Sequence, residues 1–467
     1  MASLSASGSS GLPVPIPKST GPTSVYLGRY SQDGRVGNEL NYDGERHLLL
    51  FGPNGSGKGT RLLVPNLLRI GGKSLVVIDP KGELAAITAS YRRTVSDVVI
   101  LNPFDLLGLG SAGFNPLAAL DPDAPTFLDD AVGVGEALIK IEDKDPHWSE
   151  SAQGLLVALL MWEVKLARRE ARTPLLANVR YMLTEPDESI GGGNEQQLIK
   201  GLRITAARMV EQGGFEIESL VGRFTRNSNE IASIRSTADR QTSWILSQPM
   251  RADLAQNGIN FADLKRRPMT VYVVLPAERM RTHSVWLRLV IVTALHSLYT
   301  PGGIPTLFML DEFAQLGHLG PIEDAFGLVR GYGVQLWPIL QDLNQLKALY
   351  KERWETFMGN AGVVQGFAPN DLTTAEWMSR RSGDTTVVAT GYNHGDNQNQ
   401  GGQGTSDGLS YSQQKRRLFL PQELMDIREG AGLMWPAGTS KSVPFFAPSY
   451  WQDITVAGRA QTNPYYR

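Results

Sequence analysis

Between Gly52 and Thr60 the chain reads GPNGSGKGT, a lysine and two hydroxyls set among four glycines. Glycine at 52, 55, 57 and 59 tolerates the backbone angles at which successive N–H groups converge on one anion. The apolar run RHLLLF before it and RLLVPNLL after it make this an elbow from strand to helix. The spacing G-x-x-x-x-G-K is complete from Gly52 to Lys58: amides and helix N-terminus cradle the inner phosphates of a nucleotide, and the Lys58 ammonium reaches the outer ones. Gly52, Pro53, Asn54, Gly55, Ser56, Gly57, Lys58, Gly59 and Thr60 are therefore the expected nucleotide-binding residues. The motif departs at one position: the magnesium-ligating Ser or Thr after the lysine is replaced by Gly59, leaving Thr60 as the nearest hydroxyl for the metal. A plain glycine turn with a solvated lysine is the alternative, and the flanking strand and helix argue against it.

A nucleotide hydrolase also needs acid at the end of an apolar strand. TLFMLDEFAQLG supplies it: Asp311 is expected to hold magnesium through water, and Glu312 to polarise the attacking water. The strand VQLWPILQD ends in Gln341, a sensor for the terminal phosphate, with Asp342 as the adjacent alternative. A glutamine at a strand end is as readily a turn residue, so this assignment leans on the order of the motifs. A phosphate loop alone neutralises little of the charge that builds during phosphoryl transfer, and assemblies often supply an arginine from a neighbour. Arg330 in GLVRGYG lies between the two strands and is the candidate, weighed against an ordinary surface arginine.

These groups need a scaffold. HLLLFG, SLVVIDP, DVVILNP, TVYVVLP, TLFMLDE, VQLWPIL and AGVVQGF read as parallel strands covered on both faces, with GLMWPAG as a late addition. Strand signals stop between Pro103 and about Phe261, where helices follow one another. Expected starts are Thr173 with Pro174, Asn194 with Gln197, and Asn227 with Glu230. Trp148, Ala152, Leu155, Leu156, Leu159 and Trp162 recur at helical spacing and form that insertion's core. The expected organisation is an N-terminal extension and start of the α/β domain over 1–46, partly disordered, and an α/β nucleotide-binding domain in two parts, 47–114 and 258–467. These enclose an all-helical insertion over 115–257. Within the second part, 391–408 is dense in Gly, Asn and Gln and reads as a flexible loop.

Composition narrows the function classes. The chain has 467 residues with 42% hydrophobic and 20% charged, a net charge of -2, six histidines and no cysteine. That is globular, rules out disulfides and thiolate metal sites, and gives no overall basic signature for nucleic acid. Basic clusters at 265–267, 380–381 and 415–417 could still line a pore, though each is more often a solvated face. GLLVALLMW and VWLRLVIVTALHSLY are too short, or too interrupted by Arg288 and His296, to span a bilayer.

Several segments in order resemble the coupling ATPases of bacterial type IV secretion and conjugation systems: GPNGSGKGTRLLVPNLL, SLVVIDPKGEL, VVILNPF, HWSESAQGLL, DLKRRPMTVYVVLPAERM, PTLFMLDEFAQLG, ILQDLNQLKALY and KRRLFLPQEL. The resemblance runs from about 48 to 451. It implies a RecA-like motor domain with a mainly parallel central sheet and an all-α domain inserted. It also implies assembly as a hexamer, use of ATP and Mg2+, and delivery of single-stranded DNA, a relaxase or effector proteins to the secretion machinery. Carried over by position, Gly52–Thr60 match the phosphate loop, Asp311 and Glu312 the second nucleotide motif and Gln341 the sensor, and Gly59 is acceptable because glycine occurs there in the family. With Arg330 from the residue-level reading, the expected catalytic residues are Lys58, Glu312, Gln341 and Arg330, and the metal falls to Asp311 and Thr60. Many members begin with transmembrane helices; this sequence shows none. The expectation is a cytoplasmic protein recruited to the cytoplasmic face of the inner membrane through another protein, either natively without an anchor or with the anchor removed. The competing readings are a DNA translocase or helicase without a secretion channel, and a nucleotide-gated cargo adaptor. In DPKGEL, Asp79, Lys81 and Glu83 either pair and cap the next helix or line the nucleotide cleft; none is assigned as catalytic.

Overall fold

The computed structural model describes residues 21–142, 145–190, 197–399 and 402–465. Its centre is an eleven-stranded sheet. In chain order the strands are β1 (Val25–Gln32), β2 (Arg35–Tyr42), β3 (His47–Phe51), β4 (Ser74–Asp79) and β5 (Asp97–Leu101). The small strands β6 (Glu188–Ile190) and β7 (Gln197–Lys200) stand apart, followed by β8 (Met269–Val274), β9 (Thr306–Leu310), β10 (Val334–Leu340) and β11 (Ala361–Phe367). The separate pair β12 (Asp384–Asn399) and β13 (Gly402–Arg417) precedes β14 (Ala431–Pro436) and β15 (Val443–Phe446).

The sheet order is β2-β1-β15-β14-β11-β3-β10-β9-β4-β8-β5. From β11 to β5 all neighbours run parallel, and from β14 to β2 they run antiparallel. Every residue of β3, β4, β8, β9, β10 and β11 is buried, as expected of parallel strands with helices on both faces. Side chains such as Phe51, Val76, Phe308 and Leu336 fill one face and Leu50, Val77, Met309 and Ile339 the other. Each such side chain contributes about 1.5–3 kcal/mol by leaving water.

Between β5 and β8 the chain leaves the sheet. Helices α3 (Phe127–Leu138), α4 (Pro146–Arg169), α5 (Leu176–Thr184), α6 (Leu202–Gln212), α7 (Phe215–Val221), α8 (Asn229–Thr242) and α9 (Gln248–Leu254) follow α1 (Val64–Leu67) and α2 (Glu83–Arg92) of the motor core. The long α4 is the insertion's axis: Ala152, Leu155, Leu156 and Leu159 are fully buried, as their helical spacing requires. Glu163 on α4, 1% exposed, receives Arg172 and accepts the Leu175 N–H at 2.9 Å. The insertion meets the motor through Arg288 on α10 (Met280–His296). This buried guanidinium donates to the Glu136 and Ala137 carbonyls at the end of α3 and to the Leu316 and His318 carbonyls beyond β9.

Several local expectations are corrected. Residues 25–42, within the segment expected to hold the extension and the start of the α/β domain, are ordered into the hairpin β1–β2 around Asp33 and Gly34, both at positive φ, and already belong to the central sheet. The first twenty residues of that extension lie outside the described residues. The insertion is not wholly helical, since β6 and β7 pair antiparallel within it. Helix α5 starts at Leu176 instead of Thr173 because the Glu163 carboxylate meets the amide at its entrance. Ser228, not Asn227, caps α8 by accepting from the Ile231 N–H. Asn194 lies outside the described residues, and the helix expected there begins only at Leu202, with Gly201 before it.

Segment 391–408 is the distal part of a long ribbon, β12 paired antiparallel with β13 from Asp384–Arg417 to Asn399–Gly402, where a loop was expected. Near its base β12 carries the β-branched run Thr385, Thr386, Val387 and Val388, which favours an extended strand. Val388, Tyr392, Leu409 and Tyr411 on the ribbon are exposed, so it adds no core. Replacing 391–408 by a short Gly/Ser bridge should therefore leave the melting temperature within about 2 °C, whereas a loss of about 5 °C or more in calorimetry would make the ribbon structural.

Candidate nucleotide site

The parallel strands all release their chains at one edge, and the expected site residues sit there. Ile339 and Leu340 of β10 lie opposite Leu50 and Phe51 of β3, Pro338 opposite Leu310 of β9, and Ile78 of β4 opposite the same Leu310. Gly52, Gln341, Asp311 and Asp79 are thus neighbours across four adjacent strand ends. The Gly52 N–H donates to the Leu340 carbonyl at 3.0 Å, tying the glycine loop to the strand that carries Gln341. A Cβ on Gly52 would stand 2.8 Å from Ser56 Oγ and 3.0 Å from a Phe367 ring carbon, so only glycine fits. Gly55 and Gly57 have φ of +81° and +84°, the left-handed geometry of an anion nest.

After Lys58 the backbone enters a π-turn, Gly59–Leu63, that continues into α1. Lys58 Nζ donates to the Gly52 carbonyl at 2.6 Å and the Pro53 carbonyl at 3.3 Å, so the ammonium lies within its own loop. Burial lowers its pKa, against the opposing pull of Asp311 and Glu312. Ser56 Oγ is buried with no hydrogen-bond partner, a polar atom aimed into the loop and suited to a phosphate oxygen. A Cβ on Gly59 would meet nothing within 4 Å, so sterics do not explain the glycine there. The Thr60 hydroxyl donates to the Gly57 carbonyl at 3.4 Å.

The acids come next. Burial, reinforced by Glu312, pushes the Asp311 carboxyl up to about 6. Glu312 follows in a left-handed conformation, φ 50°, and its N–H donates to Asp311 Oδ1 at 3.0 Å. That turn carries the Glu312 carboxylate towards β10, where its Oε2 accepts from Gln341 Nε2 at 3.2 Å. The Gln341 amide in turn donates to Gln345 Oε1. Asp342, the alternative sensor, accepts the Gln345 N–H at 2.9 Å and caps the following helix, Leu343–Tyr350.

Arg330 stands elsewhere. It precedes β10, in the turn Val329–Tyr332 at the amino edge of the sheet, 56% exposed and 3.6 Å from Glu45. It therefore does not join Lys58, Asp311, Glu312 and Gln341 in its own subunit. The basic clusters are largely neutralised: Arg266 and Arg267 meet Asp263, Arg380 meets Glu376, Lys415 and Arg417 meet Asp384, and Arg416 meets Glu423.

The turn after β4 answers the question its sequence left open. Asp79 Oδ2 accepts the Ala85 N–H at 2.8 Å and caps α2, yet the same carboxylate lies beside Asp311. Of the first alternative the capping half is present and the pairing half is not. Neither Lys81 nor Glu83 pairs with it among the described ion pairs; Glu83 instead accepts from Asn463 Nδ2. Sequence reasoning missed the part played by the chain's last residues, because Asn463 and Tyr465 carry no motif and reach this turn only through the fold.

Residues 18–440 match the family model for type IV secretory system conjugative DNA transfer. This chain belongs to that family. Among curated relatives it is 29% identical over 408 residues to the conjugal transfer protein TraG of Agrobacterium fabrum, covering 85% of this chain and 59% of that protein. It is 28% identical over 402 residues to the type IV secretion system-coupling protein VirD4 of Bartonella quintana, covering 82% and 59%. The chain thus spans about three fifths of the length of these relatives. The bacterial conjugative coupling protein TrwB, solved unbound, superposes with a TM-score of 0.64 at 18% identity, covering 90% of this chain and 88% of that one. The same plasmid coupling protein solved with ADP and Mg2+ gives 0.62 at 19%, covering 87% and 85%. The fold is accordingly the RecA-like α/β motor with an inserted helical domain, as the sequence resemblance implied. Among the described residues no helix is long and apolar enough to cross a membrane.

Asp79 generates a prediction about stability. Burial raises its carboxyl to about 7, above the unfolded value, so its contribution to stability is present at low pH and lost as pH rises through 7. Asp79→Asn keeps a capping oxygen and removes that penalty. Without nucleotide, its melting temperature relative to the parent should be more favourable at pH 8 than at pH 5; an equal difference at both would refute the linkage.

Proposed function

We propose that this chain is the motor of a conjugative coupling protein: a P-loop ATPase that assembles as a hexameric ring and drives DNA or protein substrates towards a type IV secretion channel. The observation that carries the reading is the Glu312–Gln341 hydrogen bond at the sheet edge beside Lys58, in a chain of the conjugative DNA transfer family. In this reading, ATP lies along Gly52–Thr60 with Lys58 at its outer phosphates. Asp311 through water, and Thr60, are the residues to hold Mg2+, which offsets phosphate charge when bound. Glu312 accepts the proton of the attacking water, and Gln341 reports the terminal phosphate to the helix Leu343–Tyr350.

The plasmid coupling protein TrwB, solved in complex with ADP and Mg2+, supports these ligands by analogy. The relatives' names, conjugal transfer and type IV secretion system coupling, support a place in DNA transfer with the secretion machinery as partner; single-stranded DNA, a relaxase or effector proteins are the substrates that this reading adds. A cytoplasmic location at the inner face of the membrane accompanies the same reading. Because Arg330 is on the amino edge, its proposed role is to meet the nucleotide of an adjacent subunit. The insertion is the part best placed to receive cargo, since it projects from the sheet between β5 and β8.

Two outcomes follow. Glu312→Gln keeps the side chain's shape without its basicity, so it should bind ATP, lower turnover by about 100-fold or more, and shift the protein to hexamer in mass photometry with ATP. Turnover at the parent rate would remove Glu312 as the base. Mixing Arg330→Ala with Lys58→Ala should give more ATPase than the two proteins separately, because some intact phosphate loops then face an intact arginine. Mixed rings verified by a label but showing no gain would place Arg330 outside catalysis.

A further inference from the structure

Lys81 sits in the turn that joins β4 to α2, at the same sheet edge as the phosphate loop and one strand from Asp311. The turn is held from three sides. Asp79 at its entrance accepts the Ala85 amide, fixing α2 to the strand end. Gly82 has φ +64°, and a Cβ there would stand 3.3 Å from Leu107 Cδ1 and 3.4 Å from Leu109 Cδ1, so the backbone has little room to move. The end of the chain supplies the third hold: Gln461 N–H donates to the Ile87 carbonyl, Asn463 Nδ2 to Glu83 Oε1 at 2.5 Å, and Tyr465 OH to the Lys81 carbonyl at 2.7 Å.

The side chain that this turn carries is exposed and has no ion pair among the described residues, although Glu83 and Glu278 line the same cavity of about 230 Å³. A solvated surface lysine needs no backbone fixed by a helix cap, a left-handed glycine and a returning C-terminal segment. Lys58 stands at β3, Asp311 and Glu312 at β9 and Asp79 at β4, so three acids face one lysine until Lys81 is counted.

We infer that Lys81 is a second cation of the nucleotide site, contacting the terminal phosphate from the β4 side, and that Asn463 and Tyr465 are positioning residues that hold its turn in place. This rests on the ATPase reading above and adds a residue to it. Because the contact is with the terminal phosphate, it distinguishes ATP from ADP, whereas Lys58 and the loop amides serve both.

The test is equilibrium binding of fluorescent ATP and ADP analogues, with Mg2+, to the full chain carrying Lys81→Ala, Lys81→Arg or Tyr465→Phe. Lys81→Ala should weaken ATP by roughly tenfold to a hundredfold and leave ADP unchanged. Lys81→Arg should recover much of the loss, and Tyr465→Phe should show the same selective loss to a smaller degree. An unchanged ATP-to-ADP affinity ratio in Lys81→Ala overturns the inference while leaving the ATPase reading intact. Equal weakening of both nucleotides also overturns it, since that is the signature of a disturbed cleft. If the parent chain binds neither analogue, the ATPase reading itself fails, and this inference with it.

Discussion

Parallel pairing imposes one constraint from which the rest of the molecule follows: strands that run the same way must deliver their ends to the same edge. The backbone bond from Gly52 to Leu340 shows how tight that constraint is, because the first residue of the glycine loop is still in register with the last residue of β10. Once the register is set, a lysine seven residues past β3, an acid just past β9 and a glutamine just past β10 have nowhere else to go. Burial on both faces fixes the register, since a slip by one residue would exchange every side chain between two filled cores.

The electrostatics follow from the same geometry. Carboxylates at adjacent strand ends are desolvated and repel one another, which raises Asp79 and Asp311 together. Cations at the edge oppose that repulsion, and the left-handed turn at Glu312 moves a third acid off the crowded strand end to the amide of Gln341. A non-glycine residue in that conformation carries strain. Here the strain coincides with the side chain proposed as the base.

Much of this was legible in the sequence, and the reasons for the remainder are physical. Most of the eight apolar runs are strands buried on both faces, the condition under which a continuous Val/Ile/Leu run is distinctive; β5, at the sheet edge, keeps the run with only Ile100 and Leu101 buried. β1 and β2 are half-exposed and carry Arg29, Gln32, Arg35 and Glu39, so they lack that signal. The Asp33–Gly34 pair between them was the available clue, being a strong hairpin turn signal. Ribbon β12–β13 was hidden for the opposite reason: Gly, Asn and Gln suggest a loop, while pairing satisfies their backbone regardless of side chain. Helix starts missed at Thr173 and Asn227 reflect caps supplied by a distant carboxylate or by the next residue. Asp342 could be told from Gln341 only by seeing which one accepted an amide. The position of Arg330 at the opposite edge follows from chain direction once β10 is known to be parallel, yet which subunit it serves is a matter of assembly and not of the single chain.

Arg288 gives the two parts of the molecule a common joint. Its planar guanidinium distributes fixed donors between the closing carbonyls of α3 and those of Leu316 and His318, a few residues beyond Glu312. A planar fork of that kind tolerates little shear: a displacement of the helical insertion must either carry the segment behind Glu312 with it or leave buried carbonyls without a donor. Force applied to the insertion is therefore delivered to the backbone that follows Glu312 through this buried polar joint as well as through the packing of α3 on α10, a tie rod set beside a bearing surface.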